Sequence, residues 1–520
     1  MLSGLAHAAR SARAGFVLAR EGALALIDPG SLPPAARGAL RLARLLERPG
    51  AEKGARLSAA LTRLGPSYVK VGQFLATRPD IVGAAAARDL EQLQDRMAPF
   101  PQAEAERTVA AALGRPLPDL FAAFGPPVAA ASIAQVHQAR LPDGTPVAVK
   151  VMRPSIRERF ASDLQAQAFM AGLSERLGPE ARRLRMSEVV ETLRRSVAIE
   201  MDLRLEAAAL SELADNTEND PDFRVPKPFW DLTSRDVLTT EWVDATPLGD
   251  LPALERAGHD RAALGRAVIQ SFLRQAIRDG FFHADMHPGN LFVDAGGRIV
   301  AVDAGIMGRL GMKERRFLAE ILLGFIRRDY RRVAEVHFEA GYVPAHHAVD
   351  DFAQAIRAIG EPIHSRRADE ISMARVLTLL FEVTALFDMR TRTELVMLQK
   401  TMVVVEGVAR SLDPKLDMWT TSEPVVRPWV ERHLGPVGRL EDAGRGVLTL
   451  AGVLGDLPAV ALRAERVLAK LERVTDRGIG IAPESIEGAG RSAAGQGFWL
   501  TAAMWTIAGS LVLLLLTSWD

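Results

Sequence analysis

Four side chains able to hold a charged, metal-bound substrate occur along the chain in the order Lys150, Asp285, Asn290 and Asp303. A lysine amine can neutralise phosphate oxygens. The carboxamide of Asn290 and the carboxylate of Asp303 are hard oxygen donors of the kind Mg²⁺ selects. A second carboxylate, Asp285, can orient or deprotonate a hydroxyl or a water. Together these residue types point to chemistry at a nucleotide phosphate, where catalysis is mostly positioning and charge stabilisation.

The surrounding sequence supplies elements to carry them. Thr145–Val151 and Val128–Ala139 are β-branched, alternating runs separated by the turn Pro142-Asp143-Gly144, which is a hairpin signature. Lys150 lies near the end of the second run, in Val147-Ala148-Val149-Lys150, where kinases keep the lysine that pairs the α- and β-phosphates. Asp285 and Asn290 are five residues apart in His283-Ala-Asp-Met-His-Pro-Gly-Asn290, the spacing of a kinase catalytic loop. Asp303-Ala304-Gly305 follows the short apolar run Arg298–Val302, where kinases place the metal-binding Asp-Phe-Gly. The nucleotide-covering loop expected before Lys150 reads Ala129-Ala-Ala131-Ser132-Ile-Ala134-Gln-Val136, with alanine at each glycine position. Three β-methyls restrict close approach of the backbone, so this loop is expected to sit differently over phosphates. Thr240-Glu241-Trp242-Val243 reads as the hinge whose backbone meets adenine. Glu200-Met201-Asp202, with Glu206 beyond, offers carboxylates to Lys150. On one helix Glu200 and Asp202 would point about 200° apart and serve different partners, one of them Lys150.

A further segment runs from Gly65 to Asp80. As a helix it places Lys70, Gln73 and Thr77 on one face and Tyr68, Val71 and Leu75 on the other. Gly72 costs about 1 kcal/mol of helix stability against Ala, which suggests close approach by another element.

The chain of 520 residues, 48% hydrophobic and 25% charged, can fold into more than one unit. Zero net charge gives no global field for nucleic acid. The absence of cysteine excludes disulfides, thiolate metal sites and a cysteine nucleophile. The pattern predicts an α+β bilobal kinase-like fold: a helical extension over 1–125, a β-containing N-lobe with a helical insertion over 126–246, a helical C-lobe over 247–430, a helical juxtamembrane region over 431–497 and a transmembrane helix over 498–519. Strands are also expected at Val225–Trp230 and Asp236–Val243, and a charged helical stretch over Ile156–Asn216.

From Phe498 to Trp519 no residue is charged, which is long enough to span a bilayer as a helix, with Trp499, Trp505 and Trp519 at its ends. Arg463, Arg466, Lys470, Arg473, Arg477 and Arg491 precede it, so the body is expected in the cytoplasm. Arginine outnumbering lysine and abundant alanine suit a GC-rich bacterial genome, hence a bacterial inner (cytoplasmic) membrane. Arg10, Arg13 and Arg20, with no acidic residue before Glu21, fit an amphipathic helix on anionic lipid or an ordinary surface helix.

Taken together, Lys70-Val-Gly-Gln73, the alanine loop, Glu200-Met-Asp202, His283–Asn290 and Asp303-Ala-Gly305 resemble the UbiB family of atypical kinase-like proteins over roughly residues 55–320. The resemblance implies a kinase fold whose extension lies over the cleft, binding of ATP and Mg²⁺, ATPase rather than protein-kinase activity, and support of ubiquinone biosynthesis. It also implies membrane lipid, prenylated quinone precursors and quinone-biosynthesis enzymes as partners, leaving a homodimer open. Some members carry a hydroxylase label, but no flavin or dinucleotide fingerprint is present here. Met286, Ala304 and a single apolar span depart from the usual family pattern. Two rival readings stand beside this one. His283 and Asp285 have the spacing of two ligands of a 2-His-1-carboxylate iron site, with His287 or a distant histidine as the third. A nucleotide-binding scaffold without turnover is the other.

Removing residues 498–520 should release the protein from membranes and leave basal ATP hydrolysis intact. Sedimentation in high salt checks this, since a truncated protein that still pellets with membranes would need another anchor.

Overall fold

The computed structural model describes residues 10–434 apart from 11–12, 27–37, 39, 43, 49–55, 77–81, 83–85, 87–88, 91–92, 94–96, 178–184, 365–382, 384–385 and 390–392. Thr77–Asp80, the basic stretch 463–491 and the apolar run 498–519 lie outside the described residues. Among those described, no helix is long and apolar enough to cross a membrane.

A four-stranded antiparallel sheet carries the N-lobe: β1 (Ala123–Ala130), β2 (Ala134–Arg140), β3 (Pro146–Met152) and β5 (Val237–Glu241), in that order. The single run expected over Val128–Ala139 is therefore two strands that turn at Ala131–Ile133. Val147, Val149 and Val151 alternate onto one face of β3 and are fully buried against Ala105 and Val109 of helix α3 (Gln102–Leu113). No regular strand covers Val225–Trp230. Pro226 and Pro228 lack the N–H a ladder needs, and pairing is confined to β4 (Phe223–Arg224) and a bridge from Pro228 to Thr240.

The insertion between β3 and β4 holds helices α4 (Ile156–Leu177), α5 (Met186–Glu200) and α6 (Leu203–Thr217). In the C-lobe, β6 (Ala245–Pro247), β8 (Leu291–Asp294) and β9 (Ile299–Ala301) join β4 in a second sheet, and β7 (Phe281–His283) pairs with β10 (Met307–Arg309). Helix α7 (Arg261–Leu273) lies under these strands; α8 (Met312–Arg327), α9 (Tyr330–Glu339) and α10 (Val349–His364) follow, and α11 (Thr393–Leu412) and α12 (Met418–Leu434) pack on α7. Arg224 ties the lobes together, reaching Glu241 at 3.1 Å and Asp294 at 3.1 Å.

In the extension, α1 (Arg56–Leu64) and α2 (Pro66–Ala76) pack together. The apolar side of α2 divides between two cores rather than one. Tyr68 and Leu75 join the extension's own cluster with Leu61, Leu64, Leu90 and Leu93. Val71 and Phe74 pack against the core of the kinase-like body. Gly72 sits where Leu90, Leu93 and Leu61 close in. A Cβ there would lie 2.3 Å from Leu93 Cδ1 and 2.6 Å from Leu61 Cδ1.

Gly72→Val should therefore loosen the extension by about 1–3 kcal/mol of overpacking. Gly72→Ala should come closer to neutral, because alanine's better helix propensity, about 1 kcal/mol, offsets part of the clash. Limited proteolysis within 56–76 and melting temperature report both; equal resistance of the valine variant and the parent would contradict the packing.

Candidate functional site

Lys150 projects from the open face of β3, opposite the face that buries the valines. Its Nζ donates to Glu206 Oε1 at 2.7 Å and Oε2 at 2.9 Å, and to Asp303 Oδ2 at 3.0 Å. Burial opposes the lysine's charge, but the carboxylates of Asp303 and Glu206 outweigh it and hold the amine protonated above the usual lysine range. Glu206 is pushed up to about 7, first by burial and then by the negative charge of Asp303, with Lys150 pulling the other way. For Asp303, the effect of burial is overcome by Lys150 and the N–H of Gly305, so its carboxyl stays well below the ordinary range. Glu206 keeps 7% of its side chain exposed and Asp303 keeps 41%, so Asp303 is the member of the trio still open to a ligand.

The acid that meets Lys150 is Glu206, not Glu200 or Asp202. Those two do not share a helix, because α5 ends at Glu200 and α6 begins after Asp202. Asp202 caps α6, accepting from the N–H of Arg204 at 3.2 Å and pairing with its guanidinium at 2.6 Å. Glu200 instead receives Lys70 of α2 at 2.5 Å, in a largely buried pair. Gln73, one turn further along α2, is half-buried.

Asp285, Asn290 and Asp303 converge through backbone and imidazole contacts. Asn290 Nδ2 donates to the carbonyl of Asp285 at 3.1 Å and to Asp285 Oδ2 at 3.2 Å, so the amide nitrogen faces Asp285 and the Oδ1 acceptor takes no part in these two bonds. Asn290 O accepts from Val302 N at 3.0 Å, setting the loop beside the segment that carries Asp303. Gly305 N holds Asp303 Oδ1 at 2.8 Å. His283 braces both pieces: its Nδ1 accepts from Asp285 N at 3.1 Å and its Nε2–H donates to the carbonyl of Asp303. Burial lowers its proton affinity, in keeping with that neutral ring. Both ring nitrogens are thus engaged, and His287 spends Nδ1 on Gly289 N at 3.2 Å. The iron reading therefore loses His283 as a ligand, since both of its ring nitrogens are spent. Elsewhere among the described residues, His346, His347 and Asp388 have ligand atoms within 4.8 Å of one another. His346 and Asp388 are open to solvent and 3.7 Å apart, a surface contact.

Two supports of this loop carried no sequence signal. Residues Arg274–Asp279 form a π-helical stretch that turns Gln275 toward the loop, where its Oε1 accepts from His283 N at 3.1 Å. Gly280 ends it at φ +70, and a Cβ there would meet Leu310 O at 2.6 Å. Thr401 of α11 is buried and donates to the carbonyl of Ala284 at 2.9 Å, from 117 residues away.

At the alanine turn, Ala131 N donates to Ala134 O at 2.8 Å, and no residue from Ala129 to Val136 has positive φ. The turn is thus made from conformations alanine adopts freely, without needing glycine. Ala129 is exposed, Ala131 and Val136 are half-buried, and Ala134 and Ser132 are buried, so the Ser132 hydroxyl faces protein. In the hinge, Glu241 N donates to Lys227 O at 3.0 Å and Trp242 N to Pro146 O at 3.3 Å; the Glu241 carboxylate is held by Arg224. Val243 follows them into the link between the lobes. The donor set around Asp303 and Asn290, one carboxylate and one carboxamide oxygen, fits Mg²⁺.

Because the folded state holds the Glu206 proton to about pH 7 against an ordinary value near 4.5, protonation stabilises the fold. That contribution is full below about 4.5 and is lost as pH rises through about 7. In nucleotide-free protein without metal, melting temperature should fall across this window, and Glu206→Gln should flatten the fall. An unchanged profile in the variant would assign the titration elsewhere.

The sequence matches the ABC1 atypical kinase-like domain over residues 92–337 and the UbiB helical domain over 356–417. It is 43% identical to a probable protein kinase UbiB of Marinobacter nauticus over 402 residues, 76% of this chain and 74% of that protein. With the corresponding protein of Xanthomonas euvesicatoria it shares 39% over 467 residues, 86% of this chain and 83% of that one. Among solved structures, the erythromycin complex of Rv3197 from Mycobacterium tuberculosis shares the fold, with a TM-score of 0.50 at 24% identity, covering 71% of this chain and 91% of that one. With an α+β kinase-like body, a helical region before it and identity near 40% over most of its length, the chain belongs to the UbiB family of ABC1 atypical kinase-like proteins.

Proposed function

We propose that this protein is a membrane-anchored kinase-like ATPase that binds Mg–ATP and supports ubiquinone biosynthesis, acting on prenylated intermediates or on the enzymes that handle them. The observation that carries the reading is the convergence of Lys150, Glu206 and Asp303 at one point, with Asp285 and Asn290 joined to each other on the adjoining loop. Lys150, fixed by Glu206, presents its charge to the α- and β-phosphates. Asp303 and Asn290 offer the oxygens that would hold Mg²⁺, which when bound neutralises phosphate charge. Asp285 orients or deprotonates the attacking water or hydroxyl, positioned by Asn290 and by the His283 brace. The alanine turn covers the phosphates, and Glu241 and Val243 line the adenine side. The quinone role and the anchor rest on the family and on the apolar run 498–519.

The Lys70–Glu200 pair favours a restriction on what this cleft accepts. It fastens α2 to the end of α5, and α5 leads directly into the helix that carries Glu206. The extension so held would exclude a protein substrate and leave hydrolysis or a small acceptor. Removing one partner of a largely buried pair costs more than at the surface.

Asp303→Asn, nearly isosteric, should abolish Mg²⁺-dependent nucleotide binding without unfolding the protein; unchanged Mg–ATP affinity by calorimetry would overturn the cleft assignment. Lys70→Ala should raise autophosphorylation and lower quinone content in complemented cells. A variant matching the parent in both assays would reduce α2 to a packing element.

A further inference from the structure

Behind the alanine turn lies a set of polar contacts that the chemistry above does not use. Gln135 and His137, on β2, are 1% and 0% exposed, and buried polar groups persist only when their hydrogen bonds are met. His137 Nδ1–H donates to Gly125 O at 2.8 Å, which leaves Nε2 to accept from Gln135 Nε2 at 2.9 Å. The amide of Gln135 is thereby oriented. Its Oε1 accepts from Phe100 N at 2.9 Å and its Nε2 reaches Phe100 O at 3.3 Å, so one side chain takes both backbone groups of Phe100 as a neighbouring strand would.

Arg153, just past β3, makes the second tie. Its Nε donates to Ala131 O at 2.9 Å, inside the alanine turn, and its Nη2 donates to Ala98 O at 2.9 Å. The guanidinium also lies over the Phe100 ring, 5.6 Å from its centre. Met97 N donates to Ala130 O at 3.1 Å. Residues 97, 98 and 100, which lead from the extension into the N-lobe, are thus fastened to the turn and its flanking strands. Upstream, Leu90 and Leu93 pack in the cluster that closes on Gly72 of α2.

We propose that Arg153, with Gln135, couples the N-terminal extension to the alanine turn, so that movement of the turn over a nucleotide and the seating of α2 on Glu200 are one event. This deepens the reading of the cleft and rests on the turn covering the nucleotide. Reciprocity follows: nucleotide must alter α2, and releasing α2 must alter the turn. Arg153 acts here as a positioning residue, through the carbonyls of Ala98 and Ala131.

Hydrogen exchange of the purified full-length protein, with and without Mg–ADP, tests this. In the parent, Mg–ADP should slow exchange both in 129–136 and in 56–76. Arg153→Met should keep the first response, lose most of the second and shift Mg–ADP affinity by ~5-fold; Arg153→Lys, which can keep one of the two carbonyl bonds, should fall between. Lys70→Ala examines the coupling from its other end, at the α2–α5 contact and away from the turn itself: exchange in 129–136 should rise in the absence of nucleotide, whether or not Arg153→Met folds. A parent that responds in 129–136 but not in 56–76, an Arg153→Met protein that keeps both responses, or a Lys70→Ala protein with an unaltered turn would overturn the coupling while leaving the nucleotide cleft standing. No response to Mg–ADP anywhere in the parent, matching Asp303→Asn, would remove the cleft reading and the coupling with it.

Discussion

A lysine amine inside a protein has lost much of its hydration, and two carboxylates compensate Lys150. The rest of the site follows from meeting that requirement. Removing a charge from water costs several kcal/mol unless opposite charge and hydrogen bonds replace the lost shell. Glu206 does so from a helix and Asp303 from the segment after β9, so strand, helix and loop must all be in register at one point. Only Asp303 of the two acids keeps access to solvent, and this asymmetry makes one carboxylate an anchor and the other an available ligand.

The short stretch 200–206 distributes three acids among three tasks because the helix breaks within it. Had α5 continued, Glu206 would be carried away from β3 and Asp202 would cap nothing. The break gives Glu200 to Lys70 and Asp202 to the N-terminus of α6, and it aims Glu206 at Lys150. Extension and cleft are therefore joined through adjacent ends of two helices. A second junction, through Arg153 and Gln135, ties residues 98 and 100 to the alanine turn and β2.

Where the chain departs from ordinary kinase motifs, packing takes over. Ala284, Met286 and Ala304 are all buried in the core of the body, with Met286 completely enclosed. Methionine fills irregular space well, and it stands directly beside Asp285. The place of the kinase arginine next to that aspartate is taken by alanine, whose carbonyl is held by Thr401 from α11. The helical segment after the kinase-like body thus becomes part of the support of the 283–290 loop.

Residue type and spacing alone singled out Lys150, Asp285, Asn290 and Asp303, and the fold brings Lys150 to Asp303 and Asn290 to Asp285. The hairpin before Lys150 and the close approach at Gly72 were legible for similar local reasons: turn residues between alternating runs, and a glycine where a helix disfavours one. The partner of Lys150 was not legible. Glu200, Asp202 and Glu206 are chemically equivalent acids within seven residues, and only the helix break, fixed by packing on the sheet, separates them. Val225–Trp230 looked like a strand from its apolar run, yet its two prolines deny it a ladder. Gln275, Thr401, Gln135 and Arg153 act through backbone groups far away in sequence, and a polar side chain carries no mark of which distant carbonyl or N–H it will meet. That choice belongs to the tertiary structure, because burial decides which polar groups must find a partner and chain topology decides which partners are within reach.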